Sequence, residues 1–97
     1  MRYSVEFLLG ASRELDLAFE WYESQRTGLG TELLRAVAAA RDVLTRDPLR
    51  FPETRKSFRW VKLRRFPYAL HYEIDGEAVR VLACLHFHQN PDRWPGV

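Results

Sequence analysis

Ninety-seven residues, of which 46% are hydrophobic, 29% charged and 13% aromatic, suffice for one small domain with a modest core and are too apolar for a disordered chain. The formal net charge of +2 leaves the chain close to neutral, so any strong field must be local. There is no apolar run of about 18 residues and no leader-like segment, so the expectation is a cytoplasmic protein with no membrane partner.

Residues 2–8 alternate loosely, with Tyr3, Val5 and Phe7 on one side, and predict a first strand. Ser12 reads as a helix N-cap, with Glu14 and Asp16 in the first turn, where the helix dipole favours negative charge. Leu15, Ala18, Phe19 and Tyr22 follow at helical spacing, to an end near Gln25 and before Gly28-Leu29-Gly30. A second helix is expected from about Thr31, with Leu33, Val37, Ala40 and Leu44 as its buried stripe and Ala36, Ala38 and Ala39 keeping it slim enough for close packing. Asp47-Pro48 ends it, because a proline disfavours helical geometry in the residue before it. The short glycine-containing link predicts an antiparallel helical hairpin.

A proline-bearing loop over 49–54 precedes three strands, at about 58–65, 68–75 and 78–88, and Asp75-Gly76 signals a tight hairpin between the last two. Cys84 is the only cysteine and lies in the apolar run 79–85. An internal disulfide is excluded, and a small buried hydrophobe is the plain reading. The expected fold class is α+β in the order β-α-α-β-β-β, with the helical hairpin packed on one face of a small, mainly antiparallel four-stranded sheet, as a single domain over residues 1–97. A hairpin that returns the chain to the end where the first strand finished sets the second and fourth strands against the first and the third parallel to it. Strand order stays open.

Charge is segregated along the chain. Residues 1–53 hold seven basic and nine acidic side chains, and residues 73–97 hold two and four. Between Glu53 and Glu73 there is no acid, while Arg55, Lys56, Arg59, Lys62, Arg64 and Arg65 alternate with Phe58, Trp60, Phe66 and Tyr68. Such a field faces an anionic partner. Alternation divides the stretch. Val61 and Leu63 share one side with Tyr68, Leu70, Tyr72 and Ile74, and with Val79, Val81, Ala83, Leu85 and Phe87. The opposite, open face then collects Lys62, Arg64, His71, Arg80, His86 and His88. That set suits phosphate contacts, with Trp60 or Phe58 to stack on a base. The plainer alternative is a solvated edge guarded by charge. His71 and His86 alone read as hydrogen-bonded structural residues. Histidine spacing matches no zinc motif, so no metal or cofactor is expected.

Several short motifs occur in a telling order: Glu14-Leu15, Ala18 and Trp21-Tyr22-Glu23; Leu29-Gly30 opening the second helix; Pro48 and Phe51-Pro52; Arg65-Phe66-Pro67-Tyr68 with Tyr72; His86, then Asn90-Pro91 and Trp94. Together they resemble the RelE/ParE superfamily of toxins from type II toxin–antitoxin modules, also labelled plasmid stabilisation proteins, over nearly the whole chain. The resemblance implies a small growth-inhibiting toxin held inactive by an acidic cognate antitoxin whose segment orders on binding. The RelE branch cleaves messenger RNA on the ribosome, and the ParE branch inhibits DNA gyrase. Lys62 and Arg64 stand where two RelE-type catalytic cations are expected. Ala69 stands where an arginine is expected, and His88-Gln89 replaces an arginine before the proline.

A ParE-like role, binding a protein target such as gyrase, is therefore the leading expectation. Partner-binding residues would be Arg59, Trp60, Lys62, Arg64, His71 and His86. A messenger-RNA endonuclease using Lys62, Arg64, Arg80 and His88 is the enzymatic alternative, with His88 as general acid or base. A non-toxic relative acting only as a binding module is the third. Trp94 is expected to anchor the tail against the body.

Overall fold

The computed structural model describes residues 2–54 and 57–87. The elements are β1 (Ser4–Phe7), α1 (Leu9–Gln25), α2 (Leu29–Arg46), a 3₁₀ turn (Pro48–Arg50), β2 (Arg59–Lys62), β3 (Tyr68–Asp75) and β4 (Ala78–His86). The four strands form one sheet in the order β1-β4-β3-β2, with β1 parallel to β4 and the other two pairings antiparallel. Both helices pack on one face, as the α+β expectation requires. No helix among the described residues is long and apolar enough to cross a membrane.

Strand directions correct the expectation. β2 and β4 run parallel to β1, and β3 opposes them. β1 has only four residues and α1 has 17, about 25 Å of helix. Such a helix cannot fold back over so short a strand. It continues instead along the second half of β4. Leu8 N–H donates to the Val81 carbonyl at 2.9 Å, and Glu14 Oε1 accepts the Cys84 N–H at 3.0 Å. Near its end, Tyr22 meets Tyr68, the register partner of His86. α2 then runs back until Tyr3 N–H donates to the Thr45 carbonyl at 2.8 Å. The hairpin returns the chain to where β1 began, and β2 sets out from that end.

The helix starts also differ. α1 begins at Leu9 with Leu8 in extended geometry and no side-chain cap. Ser12 is interior to it, its N–H donating to the Leu8 carbonyl, so Ser12 is no N-cap. Ala11, fully buried, seats this first turn on the core. α2 begins at Leu29 after Gly28 at φ 92°. Its cap is borrowed: the Glu23 carboxylate accepts the N–H groups of Gly28 (3.0 Å) and Gly30 (2.9 Å), where the helix dipole favours an anion. A Cβ on Gly30 would lie 2.7 Å from Phe19 Cε2, so the helices cross there because the residue is glycine.

The stripe Leu33, Val37, Ala40 and Leu44 is buried as expected, and Ala36 is half-buried. Ala38 and Ala39 are exposed and do not contribute to close packing. Under the helices lie Val61, Leu63, Leu70, Tyr72, Val79 and Val81. The Tyr72 hydroxyl donates to the Pro48 carbonyl, tying the sheet to the 3₁₀ turn.

One bulge rearranges the sheet faces. Tyr72 pairs with Val81 but His71 pairs with Ala83, so Leu82 is an extra residue in β4. Beyond it every β4 side chain changes sides. Val79 and Val81 face the helices as expected, whereas Ala83, Leu85 and Phe87 do not. Cys84 and His86 take the helix side.

Candidate partner-binding groove

The bulge and the short β2 decide where each predicted site residue lies. Lys62 sits on β2, the outermost strand, and its Nζ donates to the carbonyls of Leu63 (3.2 Å) and Phe66 (3.4 Å). Arg64 is exposed just past the strand end. Both line a groove of about 460 Å³ between α2 and β2. Its floor is apolar, with Ala39, Ala40, Val43, Phe51 and Val61, and its rim is basic. Arg46 and Arg50 join Lys62 and Arg64 there, from the end of α2 and from the 3₁₀ turn. Among the described residues the single acid lining the groove, Asp42, is paired with Arg46 at 2.8 Å, which leaves the rim strongly positive.

The other candidates are elsewhere. Arg59 faces the helix side opposite Tyr72. It donates to the carbonyls of Leu49 (3.2 Å) and Phe51 (2.7 Å) and approaches Glu53 at 3.5 Å. It staples the loop to β2. Trp60 lies on the open face opposite His71, its ring 5.5 Å from that of Phe87. His71 belongs to the open face by register but is fully buried. Burial pushes its pKa down from 6.5 to about 4, so it is neutral at physiological pH and adds nothing to a cationic face. His86, expected on the open face, lies on the helix side with its ring 5.3 Å from that of Tyr68.

Arg80 keeps the open face but is bracketed by acids: Asp75 at 2.8 Å, Glu73 at 4.0 Å, and Glu6 as its register partner on β1. The hydrogen bond to Asp75, and the charge behind it, raise its pKa further. Lys62 pairs with Ala69 and Arg80 with Glu73. The two cations are therefore separated by about 13 Å along the strands and about 10 Å across them. His88 and Trp94 lie outside the described residues. Among the described residues the open face is not a continuous cationic surface, and positive charge gathers at the α2–β2 edge instead.

Arg46 and Arg50 escaped sequence reasoning because they precede the acid-free stretch. The available signal was Arg46 in the last turn of a helix whose apolar stripe is one face only, with Arg50 one turn on. A second groove, about 630 Å³, lies between α1 and the ends of β3 and β4, and exposed Leu17 and Trp21 stand on its wall with Tyr22, Tyr68 and His86. Cys84 is buried at its base. Desolvation and the nearby Glu14 push its thiol pKa up to about 12, so it is no nucleophile.

No family model matches the sequence, and no curated protein matches it. Among solved structures, a chain described as "Chromosomal ParDE TA system from P. aeruginosa" superposes with a TM-score of 0.74. The match covers 87% of this chain and 95% of that one at 15% identity. The likeness is one of fold: this chain shares the fold of that ParDE-system chain.

Proposed function

We propose that this protein is the toxin component of a type II toxin–antitoxin pair. In this reading it is ParE-like, acts in the cytoplasm by binding a protein target such as DNA gyrase, and is neutralised by an acidic cognate antitoxin. The observation that carries the reading is the near-complete match in fold to a chain of a ParDE system. The motif order of the sequence points the same way. The α2–β2 groove adds a receptor of suitable chemistry, because an apolar floor with a basic rim suits an acidic segment that orders on binding.

The gyrase branch is favoured over messenger-RNA cleavage by the dispersal of cations. Arg80 is engaged by Asp75 and Glu73 and stands far from Lys62, and Ala69 beside Lys62 supplies no charge. Charge stabilisation of a phosphate in flight needs convergent donors. Expression of the chain alone should arrest growth, and purified protein should inhibit gyrase supercoiling. Arrest with full supercoiling and codon-internal cleavage in primer extension would move the reading to the nuclease branch. Harmless expression would leave a binding module.

A further inference from the structure

The bulge at Leu82 does more than reverse side chains, because it opens the groove beside α1. Unbroken alternation would turn Leu85 and Phe87 toward the helices. The extra residue turns Cys84 and His86 there instead. Along α1, Glu14, Ala18 and Tyr22 share one face at helical spacing, with Leu17 and Trp21 beside them. Ala18, buried and small, leaves a notch between its longer neighbours. The space left over is the groove of about 630 Å³ between α1 and the ends of β3 and β4.

Rings line one wall of this groove. Trp21 meets Tyr22 edge-on with ring centres 4.9 Å apart, Tyr22 meets Tyr68 at 6.1 Å, and Tyr68 meets His86 at 5.3 Å. Among the described residues no lysine or arginine lines the groove, and its one carboxylate is Glu14. Burial pushes the pKa of Tyr22 and Tyr68 up, so neither becomes an anion near neutral pH. Glu14 Oε1 accepts the Cys84 N–H at 3.0 Å, which fixes the carboxylate against β4. A carboxylate accepts several donors, so that bond orients the group without exhausting it. Tyr68 and His86 are paired two residues along from Leu70 and Cys84, about 7 Å further on the same face. Carboxylate and rings therefore bracket a gap the size of one planar cation. The chemistry is opposite to that of the α2–β2 groove, and an acidic segment does not suit it.

We propose that the groove between α1 and β4 is a docking site for an arginine side chain presented by a protein partner. The guanidinium lies between Glu14 and the rings of Tyr68 and His86, donating to the carboxylate and resting on an aromatic face. Its methylene stem runs out over Ala18 and Leu17, and exposed Trp21 shields it from water. Arginine suits the site better than lysine, because its plane stacks on rings and it is the more weakly hydrated cation. The inference goes beyond the toxin reading and does not depend on it, since the acidic antitoxin of that reading matches the basic groove.

The test titrates the full chain, by NMR, with a short capped peptide of one arginine between two leucines. Two control peptides carry citrulline, which has the same shape without the charge, or lysine in its place. Shifts should centre on Ala18, Trp21 and His86. Citrulline should bind about tenfold more weakly, the worth of one charge-assisted hydrogen bond, and lysine several-fold more weakly. Glu14→Gln keeps an acceptor for the Cys84 N–H and should erase the preference for arginine over citrulline. Trp21→Ala, at an exposed position, should weaken all three peptides, which keeps the test valid if Glu14→Gln fails to fold. No binding at millimolar peptide, equal binding of arginine and citrulline or of arginine and lysine, or shifts confined to the α2–β2 groove would each overturn the proposal. So would a preference for arginine that survives in Glu14→Gln. Harmless expression of a chain that binds the arginine peptide as described would sink the toxin reading alone. Growth arrest by a chain that treats arginine and citrulline alike would sink this site alone.

Discussion

Lowering the pH from about 7.5 to about 5.5 should cost this fold about 1.3 kcal/mol through His71 alone. The side chain is fully buried on β3, and its pKa falls from 6.5 to about 4 because the imidazolium would lose its hydration. The unfolded chain thus binds a proton at a pH where the folded chain does not. Stability rises with pH across this window. The contribution of the neutral buried ring is fully present above 6.5 and is lost as pH falls toward 4. At about pH 5.5 the unfolded ring is nearly all protonated and the folded one nearly all neutral, a ratio worth about 1.4 kcal/mol against about 0.1 at pH 7.5. For a domain of this size that difference lowers Tm by about 5–10 °C. Carboxylates with ordinary values stay largely ionised down to pH 5.5, so the window isolates histidine. Thermal melts of the unaltered chain and His71→Gln at the two pH values check it. His86 and His88 are common to both proteins and cancel in the comparison. An equal drop in both, or an NMR titration placing the His71 midpoint near 6.5, would refute the reasoning.

Other consequences arise from single contacts. Gly30→Ala places a methyl against the Phe19 ring and should destabilise by about 1–3 kcal/mol in urea denaturation. Glu23→Ala removes the acceptor for two N–H groups at the start of α2 and should cost about 1–2 kcal/mol by the same assay, with Glu23→Gln losing less. Tyr72→Phe leaves the buried Pro48 carbonyl without its hydroxyl donor and should cost about 1–2 kcal/mol. Cys84, 2% exposed and with its thiol pKa pushed up to about 12, should resist a thiol reagent at pH 8 in the native protein and react at once in denaturant.

Much of the fold was legible because its signals are local. The buried stripe of α2, its stop at Asp47-Pro48, the extent of β3 and the Asp75-Gly76 hairpin each depend on residues within a turn or a strand of one another. The start of α1 was not, because Ser12 is a competent cap that packing overrides: Ala11, just before it, is buried on the core, so the helix already begins at Leu9. Strand direction failed for a similar reason. Whether a helix folds back or runs on depends on what it packs against, here β4 and not β1.

The candidate site divides in the same way. Composition along the chain established that positive charge is concentrated in 54–72, and Lys62 and Arg64 do rim a groove. Alternation placed side chains correctly up to the bulge. Tertiary structure decided the rest. One extra residue at Leu82, beside a carboxylate delivered by Glu14 from α1, turns His86 and Cys84 to the helix side. Burial neutralises His71, while Asp75 and Glu73 occupy Arg80. Arg46 and Arg50 reach the groove only because the end of α2 and the 3₁₀ turn come back to face Val61 and Lys62 across it. Periodicity and charge density are properties of the chain itself. A field at a surface belongs to residues far apart in sequence, and only their packing brings them together.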